Sequence, residues 1–377
     1  MTKFGEFVVS PKFVPLFFLL LFLMIYLNYY CFALICAMFG WKLSWLMIAI
    51  MAIIPMLYVM LAKQKSYGKV RKVFGKIFGY YFSLFICFSI CFAAWFLIRM
   101  IVNILFLDTM YDEGLIVAGI AALILYGFGF MKTKQIKKVL YEVAIPGSVN
   151  NYRIALLSDL HLGQFVKVEH LYKLVDMINA NHVDLVVIAG DIFNDGFVEE
   201  CDDLADVCAA FRKIKANDGI VAVGGNHDPN SDEISFRNFL SQAGITLLSD
   251  DSVMIKQMRF IGRKAYTTRR VDQRKCLHDL MMPSGAKVNI IIDHDPIGID
   301  EAIQAQAELI LCGHTHRGQF FPMNIIVGHA YKKGHFWGKH KLSNTWAIVS
   351  AGAGFFQLPM RIGSENECIF IDLKDQA

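Results

Sequence analysis

A chain of 377 residues is long enough for two average domains, and its 55% hydrophobic content exceeds the usual globular share. The formal charge of +4 leaves no case for a nucleic-acid-binding face, because the Lys and Arg residues gather beside the apolar runs. Nine cysteines, an odd number with no CxxC spacing, exclude a disulfide framework or zinc ribbon and point to reduced thiols.

The apolar excess lies in residues 1–131. About twenty apolar residues suffice to cross a bilayer core as a helix. Four candidate spans follow in order: Phe13 to about Phe39, Trp45 to Ala62, Ile77 to about Ile98, and Gly114 to Met131. The first is interrupted only by Asn28. None carries a charge near its centre, which speaks against a transporter. The loop after the second span holds Lys63, Lys65, Lys69, Arg71, Lys72 and Lys76, and the stretch after the fourth holds Lys132, Lys134, Lys137 and Lys138. Between the third and fourth spans stand Asp108, Asp112 and Glu113. The positive-inside rule then predicts a multi-pass protein of an inner or plasma membrane, with its N-terminus and soluble part in the cytoplasm. The basic stretches also suit anionic headgroups, which makes the bilayer itself a partner.

Residues 132–150 read as a linker with one leading strand, and a soluble domain follows over 151–377. Arg153 to Ser158 is a predicted strand, and Val168 to Ile178 has helical apolar spacing. Val183 to Ala189 is a continuous apolar run, as in a strand buried on both faces. A helix is predicted over Leu204 to Ile214, a strand over Gly219 to Val223, and a helix over Ile234 to Ala243. Strands near Phe260 and over Val288 to Ile292 precede a helix over Ile299 to Ala307. Leu309 to Cys312, Trp346 to Ser350 and Cys368 to Ile371 complete the strands. Alternating strands and helices predict α/β layers, with ligands at the carboxyl ends of strands.

Polar clusters fall at those ends. They are Asp159-Leu160-His161, Gly190-Asp191, Gly225-Asn226-His227-Asp228, Asp293-His294-Asp295 and Gly313-His314-Thr315-His316. Residues two apart on an extended chain point the same way, so Asp159 with His161, and His314 with His316, can each face one site. Such an oxygen and nitrogen donor set suits Mn, Fe, Zn or Ni rather than a soft thiolate metal. Asp159, His161, Asp191, Asn226, His294, His314 and His316 are too many donors for one ion. Two divalent ions about 4 Å apart, sharing a carboxylate, would use them all. His170, His278 and His340 read as surface or packing residues.

Taken together, Asp159-x-His161, Gly190-Asp191, Gly225 to Asp228, His294 and Gly313 to His316 resemble the signature of the calcineurin-like metallophosphoesterase superfamily. Within it, Gly313 to Gln319 and Pro359-Met360-Arg361 look like the membrane-anchored bacterial branch, as does Ile261-Gly262-Arg263 ahead of Arg274 and Leu277. The resemblance implies a four-layer α/β/β/α sandwich, here preceded by the all-α transmembrane region. It implies one metal on Asp159, His161 and His316, the other on Asn226, His294 and His314, and Asp191 bridging. His227 would be the acid that also contacts phosphate, with Asp228 fixing its ring. Arg317 replaces a usual glycine and is a candidate substrate contact, and Pro229 alters the lip of the site.

Two cations would outweigh the charges of Asp159 and Asp191, attract phosphate oxygens, and supply a nucleophilic water without a protein base. The implied activity is a metal-dependent phosphodiester or pyrophosphate hydrolysis at the inner leaflet. By resemblance, one membrane-anchored class of relatives acts on a UDP-diacylglucosamine lipid A precursor. Cyclic nucleotides or other small phosphoesters, and a non-catalytic receptor or scaffold, are the alternatives. Degenerate scaffolds lose metal ligands, and none is missing here.

Overall fold

The computed structural model describes residues 13–41, 68–106, 113–194, 203–265, 274–282, 285–331 and 335–375. Its two compact units, one within residues 5–131 and one over 132–356 and 361–377, are taken separately.

The first unit is helical: α1 (Phe13–Met38), α2 (Gly68–Phe106) and α3 (Gly114–Lys132). All three are long and apolar enough to cross a membrane. The interruption at Asn28 is buried, and its amide donates to Ser89 Oγ on α2 (2.6 Å) and to Met24 O (2.9 Å). Pairing polar side chains between helices satisfies the amide's N–H groups in an apolar layer, while its Oδ1 finds no partner among the described residues. Phe32 packs edge-on against Phe88 and Phe92, with centroids 5.0 and 5.6 Å away. The span predicted over Trp45 to Ala62 lies outside the described residues. One expectation is corrected: Lys69, Arg71, Lys72 and Lys76 do not form a loop but occupy the opening turns of α2, a 39-residue helix. Lys and Arg are good helix formers, so charge alone does not end a helix.

The second unit has two six-stranded sheets. The first runs β1 (Ile136–Ala144), β12 (Asn366–Lys374), β2 (Tyr152–Leu157), β3 (Leu185–Ala189), β4 (Ile220–Val223) and β5 (Ile245–Leu248) from edge to edge. The second runs β10 (Gly338–Leu342), β11 (Thr345–Val349), β9 (Leu309–Cys312), β8 (Val288–Ile292), β7 (Met258–Gly262) and β6 (Asp251–Ile255).

Strand periodicity distributes the side chains to both faces of each sheet. Ile154, Leu156 and Val187 share a core with Phe260, Ile290, Leu311 and Ile348, which is the layer between the sheets. The alternate residues Ala155, Leu157, Val186 and Ile188 pack with α4 (Val168–Asn179), α5 (Leu204–Arg212) and α6 (Ile234–Gln242). On α4 the buried residues Leu171, Leu174, Val175 and Ile178 repeat at helical spacing. The Asp203 side chain caps α5 by accepting from Asp206 N at 3.0 Å. On the far face of the second sheet, Ile310, Cys312, Ala347 and Val349 pack with α7 (Leu277–Met281) and α8 (Ile299–Gln304). The architecture is therefore the α/β/β/α sandwich.

Strands β2, β3 and β4 are mutually parallel, as are β8 and β9. Their carboxyl ends release the five polar clusters along one rim. Strands β5, β6 and β10, helix α7 and helix α9 (Met323–Ala330) are additions to the sequence expectation.

Candidate metal centre

The chain makes an unusual turn after β2, β3 and β9. Asp159, His161, Asp191, His314 and His316 all have φ between 47° and 72°. Non-glycine residues adopt this left-handed region at a cost of about 1–3 kcal/mol each, and such residues gather at functional sites. Here the turn aims consecutive donor groups inward instead of letting the strand continue. The backbones also meet closely. A Cβ on Gly225 would lie 2.1 Å from Asp191 Oδ1, so the third motif needs glycine to admit the carboxylate of the second.

Two groups of donors result. Asp159, His161 and His316 form one; Asp191, His294 and His314 form the other, and each group can hold a metal ion. In the first, His161 Nε2 lies 3.0 Å from His316 Nε2, and His316 Nε2 lies 3.4 Å from Asp159 Oδ1. In the second, His294 Nε2 is 3.1 Å from Asp191 Oδ2, 3.2 Å from His314 Nδ1 and 3.1 Å from Asn226 Oδ1. Asp191 Oδ2 also lies 3.6 Å from His161 Nε2, so a single carboxylate oxygen stands between the groups.

This donor set fits divalent cations. Ring nitrogens that converge at about 3 Å alongside carboxylate oxygens present lone pairs to a common point, which a cation can occupy. Burial holds the His316 imidazole well below its ordinary value, and His161 beside it adds to that, so a proton is poorly held there. Burial opposes charge on His294, but Asp191 outweighs it and carries the ring well above the usual range. Burial also pushes Asp191 upward, yet His294, His161 and His227 hold its carboxyl well below the ordinary carboxylate value. The Asp191–His294 pair thus holds charge where a cation could replace the proton. Burial raises the Asp159 carboxyl. His294 Nδ1 sits 2.8 Å from Ala189 O; donation to that carbonyl would leave Nε2 facing the other donors.

The remaining sequence candidates fall around this pair. His227 N donates to Asp191 Oδ1 at 2.8 Å, and the His227 ring centroid is 5.4 Å from that of His161. The two oxygens of Asp228, the residue expected to fix the His227 ring, accept from the backbone of Ile192 (3.2 Å), Phe193 (2.9 Å) and Gly225 (2.9 Å), tying two strand-end loops together. Burial and the nearby Asp191 push its carboxyl up to about 6. The Arg317 guanidinium stacks 3.8 Å over the Trp337 ring, whose Nε1 donates to Glu367 Oε1 at 3.2 Å. Asp295 Oδ2 lies 3.8 Å from His314 Nε2, and Asp293 pairs with Arg274 at 2.5 Å.

Sequence reasoning missed a sixth element, the segment Ser350 to Phe356 after β11. Ala353 N and Gly354 N donate to Ser158 O (2.8 Å) and Asp159 O (3.0 Å). A Cβ on Gly354 would stand 2.1 Å from Leu160 O. Arg361, fully buried, donates to Ala351 O (2.8 Å), Gly354 O (2.5 Å) and His316 O (3.3 Å). His170, expected to be a bystander, contacts Ala353 O at 2.6 Å. The available signal was the alternation of small residues and glycines directly after an apolar strand.

Comparison with known proteins follows from this geometry. Residues 152–318 match the family described as calcineurin-like phosphoesterase. A "transmembrane protein with metallophosphoesterase domain" from Danio rerio is 28% identical over 287 residues, 69% of this chain and 62% of its own length. A protein of the same description from Bos taurus is 30% identical over 245 residues, 59% of this chain and 53% of its own. An "uncharacterized metallophosphoesterase" from Helicobacter pylori is 29% identical over 231 residues, 60% of this chain and 61% of its own. The chain thus spans between half and two thirds of these relatives.

Proposed function

We propose that the chain, whose residues 152–318 match the family described as calcineurin-like phosphoesterase, is a membrane-anchored, metal-dependent phosphoester hydrolase. The single observation that carries this reading is Asp191 Oδ2, which lies within 3.6 Å of histidines from both donor groups.

In this reading Asp159, His161 and His316 hold one cation, Asn226, His294 and His314 hold the other, and Asp191 bridges. Two such cations would neutralise charge on the phosphoryl oxygens and lower the pKa of a water, from 15.7 towards about 7, so that it can attack phosphorus. The chain's own residues do the rest. The buried carboxylates and imidazoles orient the phosphoryl group, and His227 gives a proton to the departing oxygen as its bond to phosphorus breaks. Positioned acids of this kind contribute about 10²- to 10⁴-fold. Arg317, at the motif's end, contacts the part of the substrate beyond the phosphoryl group.

The helices long and apolar enough to cross a membrane support a substrate that stays in the leaflet, a lipid-linked phosphodiester or pyrophosphate such as a UDP-diacylglucosamine-type precursor. The basic stretches before Ile77 and after Met131 support a cytoplasmic soluble domain. A membrane-impermeant maleimide tests this at the exposed Cys276: the label should enter only after lysis, and labelling in intact cells would reverse the orientation.

The activity is tested with purified full-length protein in detergent, reconstituted with Mn²⁺. We expect hydrolysis of phosphodiesters or lipid-linked pyrophosphates in mixed micelles, abolished by chelation and faster than on matched soluble esters. Metal uptake without hydrolysis of any of them would leave a binding module instead.

A further inference from the structure

Phe356 ends the segment that lies against the strand-end motifs, and its half-buried ring faces the candidate centre. Its centroid is 4.4 Å from that of His227, at 40° between the planes, and 5.1 Å from that of His161. The His316 ring lies 6.5 Å away. An aromatic ring at these distances restricts how an imidazole can turn.

The backbone of Phe356 is itself held on both sides by one side chain. Gln319 Oε1 accepts from Phe356 N at 2.8 Å, and Gln319 Nε2 donates to Phe356 O at 3.1 Å. Gln319 is buried at 6% exposure and sits at φ 59°. Its carbonyl accepts from Ser364 Oγ (2.7 Å) and Ile362 N (3.2 Å). An amide that spends both its groups on one residue's backbone, at the cost of a left-handed conformation, fixes where that residue's ring can go.

Phe356 packs closer to the His227 ring than His161 does, with centroids 4.4 Å apart against 5.4 Å. We propose that Phe356, clamped by Gln319, is a positioning residue that holds the His227 imidazole in line with the leaving group. The proposal rests on the hydrolytic reading above, with His227 as the proton donor. Phe356 touches neither proton nor phosphorus in this account. It acts by denying His227 other rotamers, so its removal should matter most where the leaving oxygen needs a proton.

The test compares two methyl phosphodiesters, one leaving as phenolate and one as 2,4-dinitrophenolate, on full-length protein loaded with Mn²⁺. Loss of a positioned acid slows the phenyl ester far more than the dinitrophenyl ester. We expect Phe356→Ala to lower kcat on the phenyl ester by roughly 10- to 30-fold relative to the dinitrophenyl ester, with metal content unchanged. Phe356→Tyr should restore most of the loss, and Gln319→Met should show the same leaving-group split. In the His227→Ala background Phe356→Ala should add almost nothing, since the two act as a unit.

Equal losses on both esters, loss of metal, or full additivity with His227→Ala would each overturn the proposal. Phe356→Leu, read in the same way, serves if the alanine variant does not fold. A wild-type protein that takes up metal and cleaves neither ester refutes the hydrolytic reading instead, so the two failures are distinguishable.

Discussion

Asp159, His161 and His316 stand at 0%, 2% and 9% exposure, whereas in the second donor group the His314 side chain keeps 30% of its surface in water and Asn226 is exposed. Asp191 lies between the two groups; the first is buried throughout, whereas the second, with Asp191 and His294 buried, meets water through His314 and Asn226. Burial strengthens every charge interaction in the first group and slows exchange with solvent. On the hydrolytic reading proposed above, the second group is the one that a phosphoryl oxygen would reach, with the first in a holding role.

Asp191 joins the groups, so the largest effect should come from removing its charge. Asp191→Asn should lose both metals and cut phosphodiester turnover on the order of 10³-fold or more, measured by metal analysis beside activity. Near wild-type turnover in that variant would dissolve the pairing.

A smaller effect separates the groups. His314→Ala should lose about one metal equivalent per chain and keep the other. A chelator should strip wild-type protein in two phases, the fast phase belonging to the exposed group. A single phase, or loss of both metals in His314→Ala, would remove the distinction between dry and open halves.

The smallest effect lies outside both groups and serves as their control. Arg153 grips Asp372 through two hydrogen bonds of 2.6 and 2.8 Å, which holds the carboxyl below its ordinary value. A depressed carboxyl contributes stability above the unfolded value of about 3.9, and that contribution is lost as pH falls through the folded value. Asp372→Asn should therefore cost under about 1 kcal/mol at neutral pH, a cost that shrinks below pH 4, with metal content unchanged. A large effect on metal binding from this pair would mean that the centre depends on the opposite ends of β2 and β12.

What the sequence revealed of this centre follows from its construction. Strands β2, β3, β8 and β9 are buried on both faces, so they read as apolar runs whose polar ends stand out. Strands β6 and β10 are edges with mixed burial, and their alternation is too weak to separate from loop. Asp159, His161, Asp191, His294, His314 and His316 were legible because their side chains carry the chemistry. The segment from Ser350 to Phe356 was not, because it acts through backbone N–H groups and carbonyls that any residue could supply. Asp228 shows the same limit from the other side: its place in the motif was legible, but the backbone partners of its carboxylate come from two separate loops.

The central claim is that two cations share Asp191, and electron paramagnetic resonance of the Mn²⁺-loaded protein tests it most directly. The geometry predicts two Mn²⁺ per chain with the multiline signal of an exchange-coupled pair, replaced by an isolated six-line signal or none in Asp191→Asn. A wild-type protein that gives only the isolated signal at full loading would contradict it.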